Sequence, residues 1–328
     1  MADTPLLSIR NLTVDFVLPD GRTSHALEEV SFDVHAGQTL GLVGESGCGK
    51  TTTLMAVMRL LPSNGRITGG RILYHDLDLL SLTERQMRAY RWKEMAMVFQ
   101  SAMNALNPVM RIDDQVSEAI VLHQLMNSAQ AARRVDTLLE MVGIAKERGD
   151  QYPHQYSGGM RQRAMIALSL ACSPSVLFAD EPTTALDVMI QAQVLELLKK
   201  IQEKLGLAIV LVTHDLGVVA EVCDTVVVMY GGKVAEYGSA DRIYNDPQHP
   251  YTQRLLESFP DLNKPGEVLS SIPGTPPRLT DLPPGCRFEP RCHRRIDVCA
   301  VRAPRLIETS AAHYAACHLC EAPETGSR

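Results

Sequence analysis

Much of what bounds this 328-residue chain is what it lacks. No apolar run approaches the roughly 18–20 residues needed to cross a bilayer, so no membrane span is expected. The opening Met1-Ala2-Asp3-Thr4-Pro5 has no basic segment followed by an apolar one, which predicts no secretory signal. Eight cysteines in such a chain are expected to stay reduced rather than form a disulfide framework. Long runs of like charge are missing too, and a net charge of −6 spread along the chain argues against a surface that coats nucleic acid. What remains is 45% hydrophobic and long enough for one large α/β unit plus an appendage, since single cores rarely grow much past roughly 250–300 residues.

What is present begins with Gly44-Glu45-Ser46-Gly47-Cys48-Gly49-Lys50-Thr51, preceded by Leu40-Gly41-Leu42-Val43 and followed by Thr52-Thr53-Leu54-Met55-Ala56-Val57-Met58. The order reads as strand, phosphate loop, helix. Three glycines let backbone N–H groups wrap a phosphate, while the helix aims the positive end of its dipole at that charge. Lys50 is placed to reach the β- and γ-phosphates, and Thr51 to offer a hydroxyl to Mg²⁺. The pattern points to a nucleoside triphosphate site. Cys48, beside Lys50 and a helix N-terminus, is expected to carry an acidified thiol or simply to fill an unconstrained position.

Either side of this loop the periodicity alternates between strand and helix. Residues 6–40 alternate apolar and polar side chains around the turn Pro19-Asp20-Gly21, as an antiparallel sheet would. Gly65–Tyr74 returns to strand composition, and Ser81–Tyr90 reads as a helix with Ser81 and Glu84 as its capping box. Met95–Gln100 reads as a buried strand ending in an amide, and the apolar spacing is helical from Ala119 to Leu139. Ser157-Gly158-Gly159 opens a helix, Met160–Ala171, whose N-terminus is a second anion site. The apolar strand Ser175–Glu181 then delivers Asp180 and Glu181 together: Asp180 to hold Mg²⁺ through its waters, Glu181 to polarise an attacking water. A helix, Val188–Leu205, and a strand, Leu207–Thr213, lead to His214, which joins Lys50, Gln100 and Glu181 in a set of strand ends and reads as a γ-phosphate sensor. Cys172 and Cys223, flanked by apolar residues, read as small core side chains.

Together these motifs resemble the ATP-binding subunits of ABC transporters. Gly44–Thr51, Gln100, Tyr156–Met160, Val176–Glu181, Ala185-Leu186-Asp187 and His214 look like the Walker A, Q-loop, signature, Walker B, D-loop and H-loop, in order, across roughly residues 5–240. The departure is in the signature, usually LSGGQ and here Tyr156-Ser157-Gly158-Gly159-Met160. The resemblance implies an ABC-type nucleotide-binding domain over residues 1–240: a RecA-like core, an antiparallel β subdomain and an α-helical subdomain. It implies Gly44–Thr52 around the phosphates, Phe16 stacked on adenine or else one more buried strand residue, and Thr51, Gln100 and Asp180 as Mg²⁺ ligands. It also implies Glu181, His214 and Gln100 as catalytic residues. ATP would lie between two such subunits, facing Ser157, Gly158 and Gly159 of the other.

Past Tyr230 the composition shifts, and ten of the 19 prolines fall in residues 260–328. That stretch is too poor in apolar pattern to fold on burial alone, so something must staple it. Cys286, Cys292, Cys299 and Cys317 suit a four-thiolate site for zinc or an iron–sulfur cluster, although five, six and seventeen intervening residues are unlike the close pairs of zinc ribbons. Asp246–Thr252 and Gly285–Cys292 look like the C-terminal region of the dipeptide and oligopeptide importer ATPases. That resemblance implies a small extension over residues 241–328, with those four cysteines on a [4Fe–4S] cluster, Zn²⁺ as the alternative, and Cys320 spare. It further implies peptide import at the cytoplasmic face of the inner membrane, as a peripheral protein. The partners would be a second ATPase in a heterodimer, two transmembrane permease subunits and an extracytoplasmic substrate-binding protein, with no nucleic acid. The alternative the resemblance leaves open is an importer ATPase for another small solute, such as nickel or glutathione. A soluble ABC ATPase acting on nucleic acid or ribosomes is the other class, disfavoured by a single Walker A motif and no sustained heptads.

Overall fold

The structure is a computed structural model and describes residues 4–100, 105–123, 126–184, 186–258 and 271–321. In chain order it runs β1 (Leu7–Val17), β2 (Thr23–Val34), β3 (Thr39–Val43), α1 (Lys50–Val57), β4 (Gly65–Tyr74), β5 (Leu77–Asp78), α2 (Glu84–Tyr90), β6 (Met95–Val98), α3 (Ile112–Leu122) and α4 (Ser128–Met141). It continues through α5 (Gly158–Ser169), β7 (Val176–Asp180), α6 (Val188–Leu205), β8 (Ala208–Thr213), α7 (Leu216–Val222), β9 (Thr225–Tyr230), β10 (Lys233–Ser239), α8 (Ala240–Asn245), α9 (Pro250–Glu257), β11 (Ile307–Ser310) and β12 (His313–Ala315). The chain divides into two compact units, one of Met1–Leu6, Val34–Thr39 and Tyr74–Val212, the other of Leu7–Asp33, Leu40–Leu73 and Thr213–Arg328.

The first unit is built on parallel strands in the order β8-β7-β6. Every residue of β6 and β7 is buried, which is why these segments read as continuous apolar runs rather than alternating ones. Trp92, the lone tryptophan, donates its indole N–H to Leu168 O at 2.9 Å, tying α5 to the start of β6. Where one helix was expected from Ala119 to Leu139 there are two, because Asn127 and Gln130 form a capping box that starts α4 afresh. The expected Ser81/Glu84 box is displaced likewise: Ser81 closes a 3₁₀ turn, and Thr83 with Gln86 caps α2.

In the second unit β1 and β2 turn at Pro19–Gly21, where Gly21 takes φ 82°, and the strands order as β2-β1-β4. A second sheet runs β11-β12-β10-β9-β3, with β3 parallel to β9 and the others antiparallel. Residues before and after position 240 thus share one sheet. The proline-rich C-terminal stretch is stapled by strand pairing to β10, with Glu236 opposite Ala315 and Tyr237 opposite Tyr314, and by packed aromatic rings. Tyr251 and Phe288 are fully buried against Tyr230, with ring centroids 4.6 and 5.2 Å from it. A buried carboxylate completes the join: Glu236 accepts from Gln248 N at 2.7 Å, His249 N at 3.0 Å and His313 Nε2 at 2.8 Å.

Candidate active site

The phosphate loop lies in the second unit, between the wholly buried β3 and α1. Gly44 (φ 144°) passes so close to β9 that a Cβ there would sit 2.2 Å from Met229 O. Gly49 (φ 108°) is the N-cap of α1, and a Cβ there would meet Leu27 at 2.6 Å. Neither position accepts an L side chain, so the glycines of the motif are structural requirements of the turn. Ser46, Gly47 and Thr51 are exposed, leaving the loop's crest at the surface. Glu45, Gly49 and Thr52 are half-buried. Lys50 is 6% exposed, its ammonium donating to Gly44 O at 2.6 Å and Glu45 O at 3.1 Å.

Cys48 departs from expectation. Its thiol is buried at 4% exposure, and burial raises its pKa despite the opposing pull of Lys50. Desolvation of a thiolate outweighs one neighbouring ammonium that already has carbonyl partners. The expected acidified thiol is therefore corrected to a small buried side chain of the loop. Cys172 and Cys223 are buried as core residues, with burial pushing the Cys172 thiol up to about 11.

In the first unit, β7 ends at the 3%-exposed Asp180, and the next residue turns sharply. Glu181 has φ 44°, a left-handed conformation that costs a non-glycine residue and is found where surroundings over-determine it. Here its N–H donates to Val212 O at 3.0 Å, fixing it to β8. Its carboxylate accepts from Gln100 Nε2 at 2.8 Å and from Thr184 Oγ1 at 2.9 Å. The structure thus brings two expected catalytic residues, Gln100 and Glu181, together; Thr184 was not foreseen, since a threonine in a Pro-Thr-Thr turn carries no chemical signal. Ser157 caps α5, its Oγ accepting from Met160 N at 3.3 Å, and exposed Gly158 follows. A Cβ on Gly159 would lie 2.8 Å from the Ile190 side chain, which would have to shift to admit a larger residue. Ala185 of the expected D-loop lies outside the described residues.

His214 is exposed in the second unit, just before Asp215, which caps α7 by accepting from Gly217 N at 2.9 Å. Phe16 is half-buried on β1, its ring edge over Gly65, where a Cβ would approach to 2.7 Å.

The four cysteines expected to bind a cluster do reach one place. Cys286, Cys292, Cys299 and Cys317 line a single small cavity with Pro250, Phe288 and Leu319. The expected ligand shell is not assembled there, however: among the described residues no three His, Cys, Asp or Glu side chains converge closely enough to hold a metal ion. Burial pushes Cys286 up to about 11 and raises Cys292, while a hydrogen bond with Cys320, then burial, raises Cys317.

Residues 27–184 match the family model described as ABC transporter, and residues 235–299 that described as oligopeptide/dipeptide transporter, C-terminal region. The dipeptide transport ATP-binding protein DppD of Bacillus subtilis is 49% identical over 96% of this chain and 94% of its own length. The chain belongs to the ATP-binding subunits of the dipeptide and oligopeptide ABC transporters. The oligopeptide transport ATP-binding protein OppD of Escherichia coli is 45% identical over 95% of this chain and 92% of its own. Among solved structures, a dimeric post-hydrolysis state of the ATP-binding cassette MJ0796 bound to ADP and Pi is 26% identical, with a TM-score of 0.64 over 71% of this chain and 98% of that one. The family places the chain among ABC-type ATPases, and the α/β fold is that of the cassette. No helix among the described residues is long and apolar enough to cross a membrane.

Proposed function

We propose that this chain hydrolyses ATP to power import of di- and oligopeptides, acting peripherally at the cytoplasmic face of the inner membrane. In this reading it pairs with a second ATPase as a heterodimer and serves two permease subunits and an external binding protein. The observation that carries the reading is a C-terminal region matching the oligopeptide/dipeptide type in a chain 49% identical to a dipeptide transport subunit. Gly44, Glu45, Ser46, Gly47, Cys48, Gly49, Lys50, Thr51 and Thr52 cradle the triphosphate, and Phe16 stacks on adenine. Thr51, Gln100 and Asp180 would hold Mg²⁺, which when bound would neutralise charge building on the phosphate oxygens; Asp180 fits a hard cation by being a buried acid at a strand end. Water attacks the γ-phosphorus, its proton passes to Glu181, and the bond to the departing ADP oxygen breaks while His214 contacts the γ-phosphate. Ser157, Gly158 and Gly159 of the partner close over the phosphates, and loss of the γ-phosphate releases that closure.

The second element of the proposal is that Cys286, Cys292, Cys299 and Cys317 hold a [4Fe–4S] cluster, with zinc as the other occupant of the same four thiols. A shared cavity supports it, and metal binding would supply the deprotonation that burial opposes. The transport reading is tested by gentle detergent isolation of the tagged chain from native membranes. Two multi-span proteins and a second cassette should co-purify with ATPase activity; nucleic acid or ribosomes without membrane proteins would overturn it.

A further inference from the structure

The phosphate loop carries a negative charge of its own. Glu45 stands directly after Gly44, in a loop that must accept a strongly anionic triphosphate, and a bare carboxylate there would repel it. The structure shows how that charge is met. Arg291, whose side chain is only 5% exposed, forks onto Glu45 with Nη1–Oε2 at 2.6 Å and Nη2–Oε1 at 3.0 Å. The guanidinium is itself held in place by donating to Pro273 O at 2.8 Å, Ile272 O at 3.3 Å and Tyr230 Oη at 3.2 Å. Tyr251 fixes the backbone of the same residue, its hydroxyl accepting from Glu45 N at 2.9 Å. Arg291 lies 246 residues beyond Glu45, adjacent to Cys292, so the compensating charge comes from the C-terminal region and not from the nucleotide-binding motifs.

We propose that Arg291 is a positioning residue of the nucleotide site, cancelling the charge of Glu45 and holding its carboxylate away from the phosphates so that ATP can bind. The proposal rests on reading Gly44–Thr51 as the triphosphate cradle. Its physical content is electrostatic, and that separates it from a merely structural role: removing the cation should weaken ATP binding, and removing the anion as well should restore it. A bidentate, nearly buried fork also fixes geometry, because both carboxylate oxygens are occupied by donors that cannot rotate independently.

The test is binding of a fluorescent Mg·ATP analogue to the full chain, with ATP turnover measured in parallel. Arg291→Gln should raise Kd and KM for ATP ~10-fold at low ionic strength with kcat within about two-fold of wild type, and the defect should shrink as salt screens the exposed carboxylate. Arg291→Gln combined with Glu45→Gln should bring Kd back to within about two-fold of wild type. An unchanged Kd in the single variant, or a double variant as weak as the single, would overturn the proposal. If Arg291→Gln fails to fold, Glu45→Gln alone decides, since it leaves the bonds of Arg291 to Tyr230, Pro273 and Ile272 intact. It should bind nucleotide more tightly than wild type, and an equal or weaker affinity would overturn the proposal. Lys50→Ala is the separate check on the cradle: retained nucleotide binding there would sink the cradle reading itself, independently of Arg291.

Discussion

His249 makes an acid-sensitive joint in the second unit, and its size can be worked out. The residue is 4% exposed and caps α9, its Nδ1 accepting from Tyr251 N at 2.9 Å. An acceptor Nδ1 must be unprotonated, so the cap exists only while the imidazole is neutral. Burial lowers its pKa to about 4, against the smaller pull of Glu236 in the other direction. In the unfolded chain the group returns to about 6.5, so the unfolded state binds the extra proton between those values. Stability is therefore full above about pH 6.5 and falls as pH drops towards 4, by about 1 kcal/mol at pH 5.5 and more below it. His249→Asn keeps an N-cap acceptor but removes the titration. Urea midpoints of wild type and variant at pH 7.5 and 5.5, read by tyrosine fluorescence, give the comparison. Other groups titrate in both proteins, and the sequence pI of about 5.9 lies in the window, so the difference between the two proteins carries the result. Wild type should lose about 1 kcal/mol more than the variant over that interval. Equal losses would refute the assignment of a buried neutral imidazole.

Glu181→Gln should retain nucleotide affinity and lower turnover by about 10²–10⁴-fold, since the amide still fills the place beside Gln100 and Thr184 but cannot take a proton; wild-type turnover would remove Glu181 from the chemistry. Anaerobic purification should yield a chain with broad visible absorbance and about four irons per chain; stoichiometric zinc would favour the structural metal, and neither would leave the four cysteines without metal. A chain ending at residue 240 should be recovered insoluble, because it leaves the β10 edge unpaired and Tyr230 stripped of Tyr251 and Phe288; soluble, ATP-binding protein of that length would refute the view that the tail completes this sheet.

The parts of the site legible in the sequence were those dictated by local backbone chemistry. A phosphate loop must have glycines where the chain runs against Met229 and Leu27, and the apolar strand ends at the buried acid Asp180, so residue type and order expose both. The pairing of Gln100 with Glu181 was legible only as two strand ends, because β6 and β7 are adjacent through a sheet and not through sequence. Cys48 misled because proximity to Lys50 is local while burial is tertiary, and the tertiary contribution is the larger one. The break between α3 and α4 was missed because apolar spacing continues across it, and only the cap at Asn127 marks it. The pairings of Arg291 with Glu45, Tyr251 with Glu45 and Glu236 with His313 carried no local signal, since these partners lie 246, 206 and 77 residues apart.

Those long-range partners explain how a stretch with so little apolar pattern is ordered. Burying Phe288 and Tyr251 supplies about 2–3 kcal/mol each, which alone falls well short of the conformational entropy of some fifty residues. Strand addition changes the balance, because β12 inherits a preformed edge in β10 and β11 then inherits one in β12. Every further tie is to a group that has a cost of its own if left unpaired. Arg287 meets Glu28 on β2 and Gly231 O, Arg291 meets Glu45, and the backbone of Gln248 and His249 meets the fully buried Glu236. A buried carboxylate without donors would be worse than none. The tail therefore supplies the polar partners that β2, β10 and the phosphate loop already require, and it folds as part of their unit because each side leaves the other incomplete.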